Sequence, residues 1–272
     1  MPYINAEGID FYYEEIGAGE PILFIHEMAG NYRSWEPQLR YFSKRNRCIV
    51  YSARGYPPSS IPDDPAVYSQ EQAATDAIAI LDNLGIDKAH IVGLSMGSFA
   101  TVQLGLDYAD RALSLTIVGC GSGSELHIYE ERQAAYRTMA KELFDGKFDD
   151  FVTQYGSGPY RQPFMRKDPR AWQAFVDRFR ENSPLGTALT LQNIQARRPS
   201  LWDLETRLQN VDIPSLVICG DRDHPCVQPS IFLSRALRKG RLSVFADTGH
   251  TVNLEEPDLF NQILQNFITN HG

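Results

Sequence analysis

Gly93-Leu94-Ser95-Met96-Gly97 follows a short apolar run, His90 to Val92, and precedes a helical pattern from Phe99 to Tyr108. A serine flanked two residues away by glycines, between a strand and a helix, predicts a turn so tight that bulkier residues would not fit. That turn would lift the Ser95 hydroxyl onto the start of the helix. A serine hydroxyl is a weak nucleophile until a base takes its proton, so the chemistry also calls for a histidine and a group to orient it. Both occur downstream. Gly220-Asp221-Arg222-Asp223 follows the apolar run Leu216 to Cys219, and Asp247-Thr248-Gly249-His250 follows the run ending at Phe245. Each lies just past an expected parallel strand, where open α/β sheets place their sites. The remaining histidines, His90, His127, His224 and His271, carry no partner signal and are assigned no role. Gly119-Cys120-Gly121-Ser122-Gly123 resembles a nucleotide loop, but Ser124 stands where the fingerprint needs its last glycine. H-E-x-x-H and C-x-x-C are absent from the sequence, so neither a cofactor nor a metal is expected.

These residues need a scaffold. Tyr3 to Asn5 and Ile9 to Ile16, around a turn at Ala6-Glu7-Gly8, predict an antiparallel hairpin. Beyond it, β-rich runs alternate with longer helical patterns: Ile22 to Ile25, Cys48 to Tyr51, His90 to Val92, Leu113 to Val118, Leu216 to Cys219 and Leu242 to Phe245. That alternation predicts βαβ units and a mostly parallel sheet with helices on both faces. Ser69 and Gln72 have the spacing of a capping box at a helix that Gly85 ends, and Pro257 opens an amphipathic C-terminal helix. From Ser122 to Leu208 helical patterns occur without a strand, with 13 Lys and Arg against 12 Asp and Glu. This segment reads as a helical insertion, giving a core domain of residues 1–121 and 209–272 and a second domain of 122–208. Within it Trp172, Phe175, Val176 and Phe179 form a stripe that either packs onto the sheet domain or lines a ligand pocket.

The chain has 272 residues, 43% hydrophobic and 22% charged, which fits an ordinary globular protein and excludes fibrous or disordered classes. Its net charge of −8 would repel phosphates, so a nucleic-acid partner is not expected. Cys48, Cys120, Cys219 and Cys226 are widely spaced and mostly within apolar runs, which suits reduced thiols. A basic-apolar leader at Met1 to Glu7 and a run of about 20 apolar residues are both lacking in the sequence, so a cytoplasmic location off the membrane is expected. The expected partner is a small-molecule substrate; a homodimer is compatible with the sequence and not required by it.

The nucleophile turn and the Ser, Asp, His order resemble the α/β-hydrolase fold superfamily over nearly the whole chain, in its capped bacterial esterase/lactonase and C–C hydrolase branch. The resemblance implies a serine hydrolase that cleaves a small ester or lactone through an acyl-enzyme, with Ser95 as nucleophile, His250 as base and Asp223 as the acid, the last residue of a Gly-x-x-Asp motif. Asp221 is the rival and Asp247 a loop residue. It implies that 122–208 is a cap inserted after the sixth core strand, and that the oxyanion hole is formed by the N–H groups of Met96 and Met28. Glu27 stands where the family has glycine, and is read as a surface residue or a carboxylate at the pocket mouth that disfavours anionic substrates. C–C hydrolases typically carry asparagine before the serine and tryptophan after the histidine, where this chain has Leu94 and Thr251. A non-enzymatic ligand receptor on the same fold is the remaining alternative.

Overall fold

The computed structural model describes residues 2–270; Met1 and His271, both considered above, lie outside the described residues. Eight strands form one sheet: β1 (Tyr3–Ala6), β2 (Ile9–Ile16), β3 (Glu20–Ile25), β4 (Asn46–Tyr51), β5 (Ala89–Leu94), β6 (Ala112–Val118), β7 (Ser215–Gly220) and β8 (Gly240–Phe245). Their order is β1-β2-β4-β3-β5-β6-β7-β8. β1 and β2 pair antiparallel, β2 pairs antiparallel with β4, and every pairing from β4 to β8 is parallel.

The central strands read as unbroken apolar runs because both faces are covered. On β3, Leu23 and Ile25 face one core with Ala77, Leu81 and Phe99, whereas Ile22 and Phe24 face another with Trp35, Phe260 and Leu264. The first face is covered by α2 (Gln70–Asn83) and α3 (Met96–Asp107); the second is covered by α1 (Glu36–Phe42) and the C-terminal helix Pro257–Thr269. Ser69 caps α2 by accepting from Gln72 N–H at 3.0 Å, but the Gln72 side chain turns to Asp76 at 2.9 Å, so only half of the expected capping box forms.

Between β6 and β7 the chain is helical, as its sequence pattern predicts: α4 (Tyr129–Phe144), α5 (Phe148–Gly156), α6 (Gln162–Lys167), α7 (Pro169–Arg180), α8 (Pro184–Leu189), a π-helical turn Thr190–Gln195 and α9 (Glu205–Leu208). Asp168 caps α7 by accepting from Ala171 N–H at 2.9 Å. Phe175, Val176 and Phe179 pack chiefly on aromatic and aliphatic side chains of α5 and α6, in a cluster that also holds Met28, Ala29 and Met96. That cluster joins the helical segment to the loops at the C-terminal edge of the sheet. After β7 and β8 come α10 (His224–Ala236), α11 (Val252–Glu255) and α12 (Pro257–Thr269). Among the described residues, no helix is long and apolar enough to cross a membrane.

Candidate active site

Ser95 sits between β5 and α3 with φ 55° and ψ −110°, a left-handed backbone that a non-glycine residue adopts only when its surroundings enforce it. Two hydrogen bonds help to enforce it. Ser95 N–H donates to Val118 O at 2.8 Å and its carbonyl accepts from Phe99 N–H at 3.2 Å, tying the turn to β6 and to the first turn of α3. A Cβ on Gly93 would lie 2.1 Å from Gly97 O, and one on Gly97 would lie 2.2 Å from Ile25 O. The two glycines therefore let strand and helix backbones approach closely enough to make the turn.

His250 follows β8 and is 7% exposed; its Nδ1 lies 2.6 Å from Oδ2 of Asp223, which is 1% exposed. Asp221 is not part of this contact, since its Oδ1 accepts from Thr248 N–H at 3.2 Å. Asp247, with φ 51°, pairs at the surface with Arg166 and Arg222. Ser95, His250, Asp223 and Met28 line one cavity of about 370 Å³, roofed by residues of the helical segment such as Tyr136, Phe151 and Leu191. Among the described residues, no group accepts a hydrogen bond from the backbone N–H of Met28 or Met96.

The loop bearing Met28 departs from expectation. Glu27 is not a surface residue: it is 1% exposed and forms a two-pronged ion pair with Arg161, itself 3% exposed, with Nη1 to Oε1 at 3.2 Å. Arg161 lies 134 positions away in the segment before α6, so nothing near Glu27 in sequence announces it. The guanidinium also packs over the rings of Tyr155 and Phe175, at 5.1 and 4.9 Å. On the neighbouring residue, His26 Nδ1 lies 2.7 Å from Glu27 O and Nε2 accepts from Ala53 N–H at 2.9 Å. Burial lowers its pKa to about 4, so the ring is neutral with the proton on Nδ1, and it pins this loop to the one after β4.

Two further groups hold the His250 loop, and the sequence carried no signal for either. Tyr160 O accepts from His250 N–H at 2.9 Å. Glu255 accepts from Gly249 N–H at 2.7 Å and Thr251 N–H at 3.1 Å, bracketing the histidine, and burial raises its pKa against the pull of those donors. Residues 160 and 161 thus touch both the histidine loop and the Met28 loop.

Asp223, Cys226 and His250 bring three ligand-type atoms within 4.8 Å of one another. Burial and the adjacent Asp223 carboxylate push the Cys226 thiol well above its ordinary pKa, and its sulfur donates to Gly119 O at 3.4 Å. A thiol held in its protonated form is a poor metal ligand, so the trio fits a hydrogen-bonded pair beside an inert cysteine better than an ion site. The other three cysteines are also buried and free.

The profile of the family described as alpha/beta hydrolase fold matches residues 20–257. The chain is 24% identical over 248 residues to 3-oxoadipate enol-lactonase 1 of Acinetobacter baylyi, covering 91% of this chain and 88% of that one. It is 24% identical over 268 residues to 2-hydroxy-6-oxo-6-phenylhexa-2,4-dienoate hydrolase of Comamonas testosteroni, covering 94% and 90%. The crystal structure of the enol-lactonase from Burkholderia xenovorans LB400 superposes with a TM-score of 0.86 at 23% identity, covering 98% of this chain and all of that one, a likeness of fold.

Proposed function

Because this chain belongs to the alpha/beta hydrolase fold family and its relatives include an enol-lactonase and a dienoate hydrolase, we propose that it is a serine hydrolase acting on a small carboxylic ester or lactone. The observation that carries the reading is the 2.6 Å contact of His250 with buried Asp223, in a cavity that Ser95 also lines from its strained turn. In the proposed reaction His250 Nε2 takes the Ser95 proton while Oγ bonds to the acyl carbon. The oxyanion is held by Met28 and Met96 N–H, groups left without partners, each worth about 2.7 to 4 kcal/mol in such a site. Collapse breaks the bond from acyl carbon to alkoxy oxygen, the departing oxygen takes the proton from His250, and water activated by the same ring then releases the acid and restores Ser95. Asp223 fixes the tautomer with the proton on Nδ1. Residues 122–208 act as a cap domain over a core of 1–121 and 209–272, enclosing substrate between them.

Ester or lactone cleavage is preferred to C–C cleavage because Leu94 and Thr251 stand beside the nucleophile and the base where the C–C hydrolases typically have asparagine and tryptophan. The relative named a dienoate hydrolase keeps the second reading in view. The test is a fluorophosphonate probe together with p-nitrophenyl butyrate. Labelling and multiple turnovers should both vanish in Ser95→Ala, and Asp223→Asn should lower kcat by about 10⁴ through the wrong tautomer. A single stoichiometric burst would indicate a receptor or a very slow hydrolase, and labelling that survives in Ser95→Ala would overturn the assignment.

A further inference from the structure

Three arginines line the cavity that holds Ser95 and His250: Arg132, Arg161 and Arg198. Arg161 is neutralised by Glu27. No carboxylate among the described residues pairs with Arg198, which is 5% exposed, or with half-buried Arg132. Its guanidinium carbon lies 3.6 Å from the centre of the Phe99 ring, and Nη2 donates to Ser122 O at 2.7 Å. Tyr136 OH bonds the same carbonyl at 3.2 Å, so the guanidinium is held by a ring and a shared carbonyl on the cavity wall. A guanidinium has five N–H donors and stays charged at all working pH. To bury that charge against one carbonyl and two aromatic faces, Phe99 and, at 5.8 Å, Tyr136, leaves its electrostatic cost largely uncompensated.

We propose that Arg198, assisted by Arg132, is a carboxylate-binding subsite, and that the substrate bears a carboxylate apart from the bond to be cleaved. This rests on the hydrolase reading and names its substrate class. Glu142 is the one further carboxylate on the cavity wall besides Asp223, among the described residues, and it too is without an ion pair. Arg132 and Arg198 against Glu142 and Asp223 leave the wall without net charge, so the pull on a carboxylate is local to the unpaired Arg198 guanidinium. The planar guanidinium edge suits the two carboxylate oxygens. Phe99 N–H bonds Ser95 O, so the backbone of the residue beneath Arg198 lies about one turn of α3 from that of the nucleophile. The carboxylate and the scissile carbonyl are therefore joined by a short chain. Glu27, which the sequence left as a surface residue or a carboxylate disfavouring anions, pairs with Arg161 and so does not neutralise Arg198.

The experiment compares mono-p-nitrophenyl glutarate with p-nitrophenyl pentanoate, an uncharged ester of the same chain length. The wild type should favour the anionic ester at least tenfold in kcat/KM. Arg198→Met should lower that ratio tenfold or more, chiefly through KM, with Arg198→Lys restoring part of it and Arg132→Gln lowering it about threefold. The ratio cancels general damage to the site, and the Arg132 variant supplies the reading if Arg198→Met does not fold. A wild-type ratio near one, or a ratio unchanged in the folded variants, overturns the subsite. Titration of the wild type and the same variants with glutarate, beside neutral glutaramide, separates this from failure of the hydrolase reading. If neither ester turns over, glutarate binding that weakens tenfold in Arg198→Met, or about threefold in Arg132→Gln, keeps the subsite while the hydrolase reading falls. Binding that is absent or unchanged overturns it.

Discussion

Removing the carboxylate of Glu27 would strand the Arg161 guanidinium, and the cost can be worked from the geometry. Breaking a buried ion pair by deleting one partner typically costs about 3 to 5 kcal/mol, because the surviving charge stays desolvated. Arg161 lines the cavity, from which water can reach part of it, and it keeps Tyr155 OH at 3.3 Å and two aromatic faces. These place Glu27→Ala at the lower end, about 3 kcal/mol. At about 2 to 3 °C per kcal/mol for a chain of this size, Tm should fall by roughly 6 to 9 °C. Arg161→Met buries Glu27 without a partner and loses the ring contacts as well, so about 4 kcal/mol is expected. The double variant Glu27→Gln with Arg161→Met removes both charges and should recover at least about 2 kcal/mol relative to Arg161→Met. Activity should follow another path. The pair ties the Met28 loop to the helical segment, so every variant that lacks it should lower kcat for p-nitrophenyl butyrate even where stability is restored. Thermal melts by circular dichroism and steady-state rates on the four proteins decide the matter. A Glu27→Ala protein within 1 kcal/mol of wild type, or a double variant no more stable than Arg161→Met, would refute the argument that an uncompensated buried charge is what these residues avoid.

Gly97→Ala should cost about 3 kcal/mol or more and abolish activity, because its methyl would meet the β3 backbone at 2.2 Å; Gly85→Ala, at φ +65° with open space around it, should cost only about 1 to 2 kcal/mol, and urea titration of both compares the two. His26, ordinarily near 6.5, has its folded pKa lowered to about 4, so between those values the unfolded chain binds a proton that the folded chain does not. Its contribution is complete above about pH 6.5 and is lost as pH falls toward 4, by about 3 kcal/mol at most. Chemical denaturation across that window should show a shallower acid decline in His26→Asn than in wild type, and identical slopes would exclude His26 as a source.

The strands, the helices and the serine turn were legible in the amino-acid order because each depends on neighbours along the chain. Apolar runs three to six residues long mark the strands, the central ones buried on both faces, and Gly93 and Gly97 flank Ser95 within five residues. Ser69, Asp168 and Pro257 mark helix starts through bonds or ring geometry no further than three residues away. Even the order of Ser95, the Asp223 loop and His250 could be read, since strand ends and loops alternate in a regular way. What the order could not reveal were the relations between loops. Asp221 and Asp223 share one turn, and which of them faces His250 depends on how β7 and β8 lie side by side. Glu27 looked like a solvated loop residue because its counter-charge comes from a helical segment 134 positions on. Arg198 looked like any other basic residue of that segment until folding placed it over Phe99, with no carboxylate among the described residues paired to it. Short-range sterics and hydrogen bonding write themselves into local sequence; the pairing or stranding of a buried charge is a property of the folded arrangement around it.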